Sequence, residues 1–150
     1  MSAFIKDFLE YNQQANLQFI RSFQVDGFAD ERGIKLFSHI LNAHHIWLSR
    51  VRDVSATFGV WDIHIANSFT QLNKQNFTDS IQLLNEEPDL SRIISYNNTK
   101  GASFKNSIQD ILLHVVNHSS YHRGQIASII REKGFTAPVS DYIYYKRDTL

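Results

Sequence analysis

The chain has 150 residues, 43% of them hydrophobic and 20% charged, and its 15 basic and 15 acidic side chains cancel. That length suits a single domain (1–150) with a full core, and the balanced charge argues against a protein held mainly by nucleic-acid phosphates, which needs a basic excess. Cysteine is absent, which excludes disulfides, a thiolate nucleophile and cysteine-ligated zinc, so a metal here must be held by imidazole, carboxylate or water.

The opening Met1-Ser-Ala-Phe-Ile-Lys-Asp-Phe8 has an early acid and no long apolar run. It reads as neither signal peptide nor anchor, and no segment reaches the roughly 18 apolar residues of a spanning helix. The expectation is a cytoplasmic protein with no membrane partner. From 3 to 23, Phe4, Phe8, Tyr11, Ala15 and Phe19 recur at steps of three and four, which predicts an amphipathic helix with Ser2 as its N-cap. Val25 to Gly33, with two glycines, two Asp and a Glu, reads as a loop. A second helix is expected over 34–52 on the stripe Leu36, Ile40, Ala43 and Trp47. Periodicity fades from Asp53 to Asn67, which predicts an irregular connection.

A third helix is expected from Ser68, as its cap, to about Asn85, with Phe69, Leu72, Phe77, Ile81 and Leu84 as its apolar face and Pro88 as its stop. Residues 93–104 read as a short extended segment or weak hairpin. The fourth helix is the clearest. Ser107 and Asp110 form a capping-box pattern, Arg131 and Lys133 stand in the last turn, and Gly134 suits the C′ position. The tail, with Pro138 and the run Tyr142-Ile-Tyr-Tyr145, is expected on the bundle surface. Four amphipathic helices with irregular connections predict an all-α four-helix bundle, a fold that builds metal sites in its core from facing helices.

Seven histidines are present. On the fourth helix His114, His118 and His122 stand four apart, a step of about 400° that stacks each imidazole nearly above the last. His118 and His122 are the favoured pair, because spacing of i and i+4 lets two imidazoles bind one ion. On the second helix His39 is wrapped by Leu36, Phe37, Ile40 and Leu41 and faces the core edge, where it can meet the fourth helix. His44 and His45 are adjacent and cannot share a face; a surface or boundary role is the favoured reading for both. His64 is expected in a loop, solvated. No Glu has a His three residues on, and no H-E-x-x-H occurs, so di-iron and zinc-protease patterns are excluded. A site of three histidines completed by water is what remains.

The ordered stretches Tyr11-Asn12-x-x-Ala15-Asn16, Leu36-Phe37-Ser38-His39-Ile40-Leu41, Trp47-Leu48-Ser49-Arg50, Asn117-His118-x-x-x-His122-Arg123-Gly124-Gln125 and Pro138-Val-Ser-Asp141 together resemble the DinB/YfiT-like, DNA-damage-inducible family of metal-dependent four-helix bundles. The resemblance implies a divalent ion held by His39, His118 and His122, with His114 behind them. Geometry agrees on His114, since eight residues rise about 12 Å, too far for one ion. Zinc or nickel is implied first, with iron and copper also suited to imidazole.

The resemblance further implies a homodimer, a small-molecule substrate and thiol chemistry. Related bundles include S-transferases using low-molecular-weight thiols such as bacillithiol or mycothiol, and a maleylpyruvate isomerase. A metal-dependent hydrolase is a further variant, and the alternative is a non-enzymatic stress-response protein whose ion is structural. Asn12, Asn16 and Tyr121 are pocket or packing residues on this reading. For Arg123 an ion pair with an acid of another helix is favoured over binding an anionic substrate.

Overall fold

The computed structural model describes residues 2–147. Its elements are α1 (Ser2–Gln24), α2 (Glu31–Val51), a 3-10 turn (Ala66–Ser68), α3 (Phe69–Glu86), a hairpin of β1 (Ile93–Asn97) and β2 (Ser103–Ser107), α4 (Ile108–Glu132) and the short α5 (Tyr142–Lys146). Helix α1 packs on α3 and α4, and α2 packs on the same two, so α1 and α2 face each other diagonally across the bundle. The expected all-α bundle is the observed fold. None of its helices is long and apolar enough to cross a membrane among the described residues.

Local chemistry accounts for most boundaries. Asp30 caps α2 by accepting from the N–H groups of Arg32 and Gly33, at 2.9 and 3.1 Å. The helix therefore starts at Glu31, earlier than the expected residue 34. Gly33 lies inside its first turn because a Cβ there would come within 2.7 Å of the Phe28 ring. At α4 the Ser107–Asp110 capping box forms as expected, and Gly134 takes φ +81° just past the helix end. The extended segment is an antiparallel hairpin with Tyr96 opposite Phe104.

Two expected caps differ. Ser68 belongs to the 3-10 turn, and its hydroxyl donates to Ile65 O rather than capping α3. Helix α1 already includes Ser2, whose side chain lies outside what is described. The tail lies on the bundle surface as expected, but it contains a helical turn. There Tyr142 donates to Asp7 Oδ2 and packs edge-on against Phe8 and Tyr11.

The core has two apolar halves. One gathers Ile5, Leu9, Leu48, Leu83, Ile111 and Leu112; the other gathers Phe19, Phe23, Phe37, Phe69, Ile126 and Ile130. A buried polar layer lies between them: Asn12 and Asn16 from α1, Asn42 and His44 from α2, Asn73, Asn76 and Ser80 from α3, and Ser119 and Arg123 from α4. The face expected for α3 packs on the core, with Phe69 buried and Leu72, Phe77 and Leu84 half-buried against the two halves. Three polar side chains not expected there, Asn73, Asn76 and Ser80, are buried more deeply than those three. Each is satisfied there. Asn73 accepts from Asn16 at 2.9 Å, Asn76 donates to Leu41 O at 3.0 Å, and Ser80 donates to Asn76 O at 2.8 Å. Buried polar groups are tolerated only when paired in this way.

Candidate metal centre

The polar layer opens to the surface along the α2–α4 seam, and three imidazoles meet there. His39 sits on α2 between Ser38 and Ile40, within a run from Phe37 to His44 that is buried all round. His118 and His122 come from one face of α4. His39 Nε2 and His118 Nε2 are 3.2 Å apart, and His118 Nε2 and His122 Nε2 are 3.1 Å apart. One ring nitrogen of each residue falls within 4.8 Å of both others. Imidazole nitrogens about 2.0–2.1 Å from a tetrahedral ion would be about 3.3 Å apart, so little movement separates this arrangement from a coordination shell.

The outer nitrogens decide the tautomers. His39 Nδ1 lies 3.0 Å from Val60 O, and His122 Nδ1 lies 2.7 Å from Gln125 Oε1. Both partners are acceptors, so both Nδ1 atoms carry the proton and both Nε2 atoms present lone pairs to the centre. His118 Nε2 faces both lone pairs, and a single proton on it can point at only one of them. One nitrogen–nitrogen approach is therefore repulsive without a shared cation. Protonating His118 a second time is disfavoured: burial first, then the neighbouring His122, His39 and His114, push its pKa down to about 3. Burial likewise lowers His39. The donor set thus fits a divalent ion of borderline softness.

The connection after α2 builds the wall of this centre. Ser38 Oγ accepts from His64 N–H at 3.0 Å, and Asn42 Nδ2 donates to Asp62 O at 2.8 Å. His64 Nε2 lies 2.6 Å from Asn42 Oδ1, so it donates. These bonds pin the Val60 carbonyl against His39 and lay the Trp61 indole flat on its ring, 3.9 Å between centroids and 12° between planes. A ligand imidazole held by an outer acceptor is oriented and made more basic. Tyr121 is 65% exposed and flanks His122 at 5.1 Å.

The remaining histidines stand outside the triad. His114 is exposed on α4, its ring 5.4 Å from His118. His45 is half-buried and accepts from Thr57 N–H. His64 is in the expected loop but bonded as above. His44, expected at the surface or boundary, is buried, its Nε2 2.7 Å from the Ser80 hydroxyl. Since that hydroxyl donates to Asn76 O, His44 must be the donor.

Arg123 also differs from expectation. It is 1% exposed and pairs with no acid among the described residues. Its Nη1 donates to Asn12 Oδ1 and Asn16 Oδ1 at 2.7 and 2.8 Å, and its Nη2 to Ser120 Oγ and Tyr11 OH at 2.9 and 3.3 Å. Asn12 and Asn16 are therefore packing residues of a buried network.

Sequence reasoning found the three imidazoles but missed Val60, Trp61, Ser38, Asn42 and Gln125. Gln125 carried a signal, lying three residues after His122 and so on the same helical face. Val60 acts through a backbone carbonyl, which no residue type announces.

The model of the DinB family matches residues 1–149. The protein named Protein DinB from Bacillus subtilis (strain 168) is 32% identical over 65 residues, which is 43% of this chain and 38% of that protein. The matched stretch thus spans under two-fifths of the relative's length.

Proposed function

Because the chain belongs to the DinB family, we propose that His39, His118 and His122 hold a divalent ion, zinc or nickel first, and that the protein transfers a low-molecular-weight thiol to an electrophilic small molecule. The observation carrying the metal half is the proton count at the triad. Two imidazoles with lone pairs facing a third, all within 4.8 Å, are balanced by a cation and by little else. An ion held by neutral imidazoles keeps its full charge when bound, and so favours a thiolate over a thiol or hydroxide over water.

The chain's own residues set the conditions. Val60 O and Gln125 Oε1 hold His39 and His122 in the Nδ1–H form. Trp61 covers one face of His39 and keeps water from it. Tyr121 stands at the open rim, placed to contact substrate rather than the ion. No carboxylate joins the triad among the described residues, so a general base is not part of this reading, and S-transfer, which needs only thiolate formation, is favoured over hydrolysis. The competing reading is an ion that only ties α2 to α4, supported by its placement across that seam.

The test uses protein loaded with zinc or nickel, a panel of low-molecular-weight thiols and an aryl halide. Turnover that disappears on chelation and in His118→Ala supports the enzyme. Metal-dependent stabilisation without turnover across the panel makes the ion structural. His39→Ala should lose the bound metal; unchanged stoichiometry would show the triad to be wrongly assigned.

A further inference from the structure

One helical turn toward the N-terminus of α4 from His118, the hairpin, α2 and α4 enclose a recess of about 200 Å³. Its walls are Trp47, Tyr96, Asn106, Asp110, Ile111 and His114. Three of these six are rings set edge to face. Trp47 meets Tyr96 at 5.0 Å and 82°, and it meets His114 at 5.1 Å and 71°. Such walls accept a flat ring, because edge-to-face and stacked contacts add to the burial of apolar area.

Arg50 stands beside these rings. Its guanidinium rests on Trp47 at 4.4 Å and on Tyr96 at 5.0 Å. Among the described residues no carboxylate or hydrogen-bond acceptor pairs with it. A guanidinium that rests over aromatic rings and has no acceptor of its own keeps N–H groups for a planar anion, and the match to a carboxylate is bidentate. The acid on the wall, Asp110, already engages the Ser107 N–H in the capping box.

The recess also connects with the triad. The His114 ring lies 5.1 Å from Trp47 and 5.4 Å from His118. His114 and His118 are separated by four residues, a rise of about 6 Å. An exposed imidazole that is not a member of the triad thus forms a floor from the metal centre to the aromatic walls. A small acid of benzoate size spans that distance.

We propose that this recess binds the non-reacting part of the substrate, a planar aromatic or heteroaromatic ring carrying a carboxylate that Arg50 engages, while the reactive end reaches the triad. Placement of the reactive end rests on the metal reading above; ring and carboxylate binding in the recess does not. Trp47 and Arg50 are then specificity residues, and His114 positions the ring.

The two tryptophans permit a direct test. Trp47 reports on the recess and Trp61 on the metal centre, and their indole N–H resonances are told apart with Trp61→Phe. Metal-free protein is titrated with benzoate, benzyl alcohol and acetate. Benzoate should shift the Trp47 resonance saturably and leave Trp61 nearly unmoved. Arg50→Gln should weaken benzoate at least tenfold but benzyl alcohol less than twofold, and Arg50→Lys should fall between. No saturable shift, equal benzoate affinity in Arg50→Gln, or acetate binding as well as benzoate would overturn the assignment.

Zinc-loaded protein is then titrated with 4-(mercaptomethyl)benzoate, which should bind at least tenfold tighter than benzoate and move both indoles. Recess binding with no gain from zinc would sever the recess from the triad. Failure to take up zinc would remove the metal reading and the placement of the reactive end, while the benzoate titration still decides the recess.

Discussion

Helix α4 presents two polar constellations, one toward α2 and one toward α1, and they are satisfied in opposite ways. Toward α1, Arg123 is sealed from solvent and four of its hydrogen bonds end on side chains of the fold itself. The network continues from Asn16 to Asn73 and from there to Gln13 O, joining three helices. Toward α2, the triad stays open at one edge, and its inward nitrogens outnumber the protons available to them. Arg123 Nε is left without a partner among the described residues, but its other contacts close the cluster on itself, which makes it a structural joint; a cluster left with converging lone pairs is built for something else to complete it. The two constellations differ by one step in sequence, His122 to Arg123, which is about 100° around the helix.

The largest effect expected from breaking this contrast is at the joint. Arg123→Ala leaves Asn12 and Asn16 with buried acceptors unpaired and opens a cavity, at a cost of about 3 kcal/mol or more in unfolding free energy. Denaturant unfolding of metal-free protein measures this. Zinc stoichiometry of the molecules that still fold should be unchanged. Loss of zinc with unchanged stability would reverse the roles assigned to the two sides.

A pH titration comes next. His44 is held neutral by burial, and His45 nearby adds to this, with a pKa pushed down to about 3. The folded-state pKa lies below the unfolded value of about 6.5. The folded state therefore refuses a proton that the unfolded chain accepts, and stability is full above pH 6.5 and falls as pH drops. For this residue alone the loss between pH 7.5 and 5 is about 2 kcal/mol. In metal-free protein the measured loss should be larger, since burial lowers His39 and His118 too. His44→Gln should make it smaller; an unchanged pH slope in that variant would mean His44 does not titrate as the fold implies.

The smallest effect belongs to the triad's outer support. Gln125→Ala removes the acceptor that orients His122 and should weaken zinc about tenfold, or about 1.4 kcal/mol, with no change in metal-free stability. A chelator competition assay reads it. Equal zinc affinity would show that His122 is oriented by its rotamer alone.

The contrast also separates what was legible in the sequence from what was not. His118 and His122 were legible because one helix fixes their spacing. Through the family resemblance His39 was also placed in the set, although the nearer of its partners, His118, lies 79 positions away in the chain. Arg123 was misread as half of an ion pair, since a charged side chain suggests a charged partner, and nothing local shows that two asparagines of α1 will meet it. The polar part of the inward face of α3 was missed for a related reason. Leu72, Phe77 and Leu84 carry the hydrophobic signal and do pack on the core, but Asn73, Asn76 and Ser80 find partners on α1 and α2 and are buried more deeply.

What the amino-acid order determined by itself is therefore everything set by short-range geometry. The four helices, the Ser107–Asp110 cap, the Gly134 terminus and the imidazole pair on α4 all follow from periodicity, capping and the 3.6-residue turn. Only the tertiary structure decided which polar groups are sealed and which stay open. It folded the connection after α2 back so that Val60 O fixes His39 and Trp61 lies on its ring. It also brought Trp47, Tyr96 and His114 together beside the triad. Those outcomes depend on contacts between residues distant in sequence, whose partners exist only once the helices have packed.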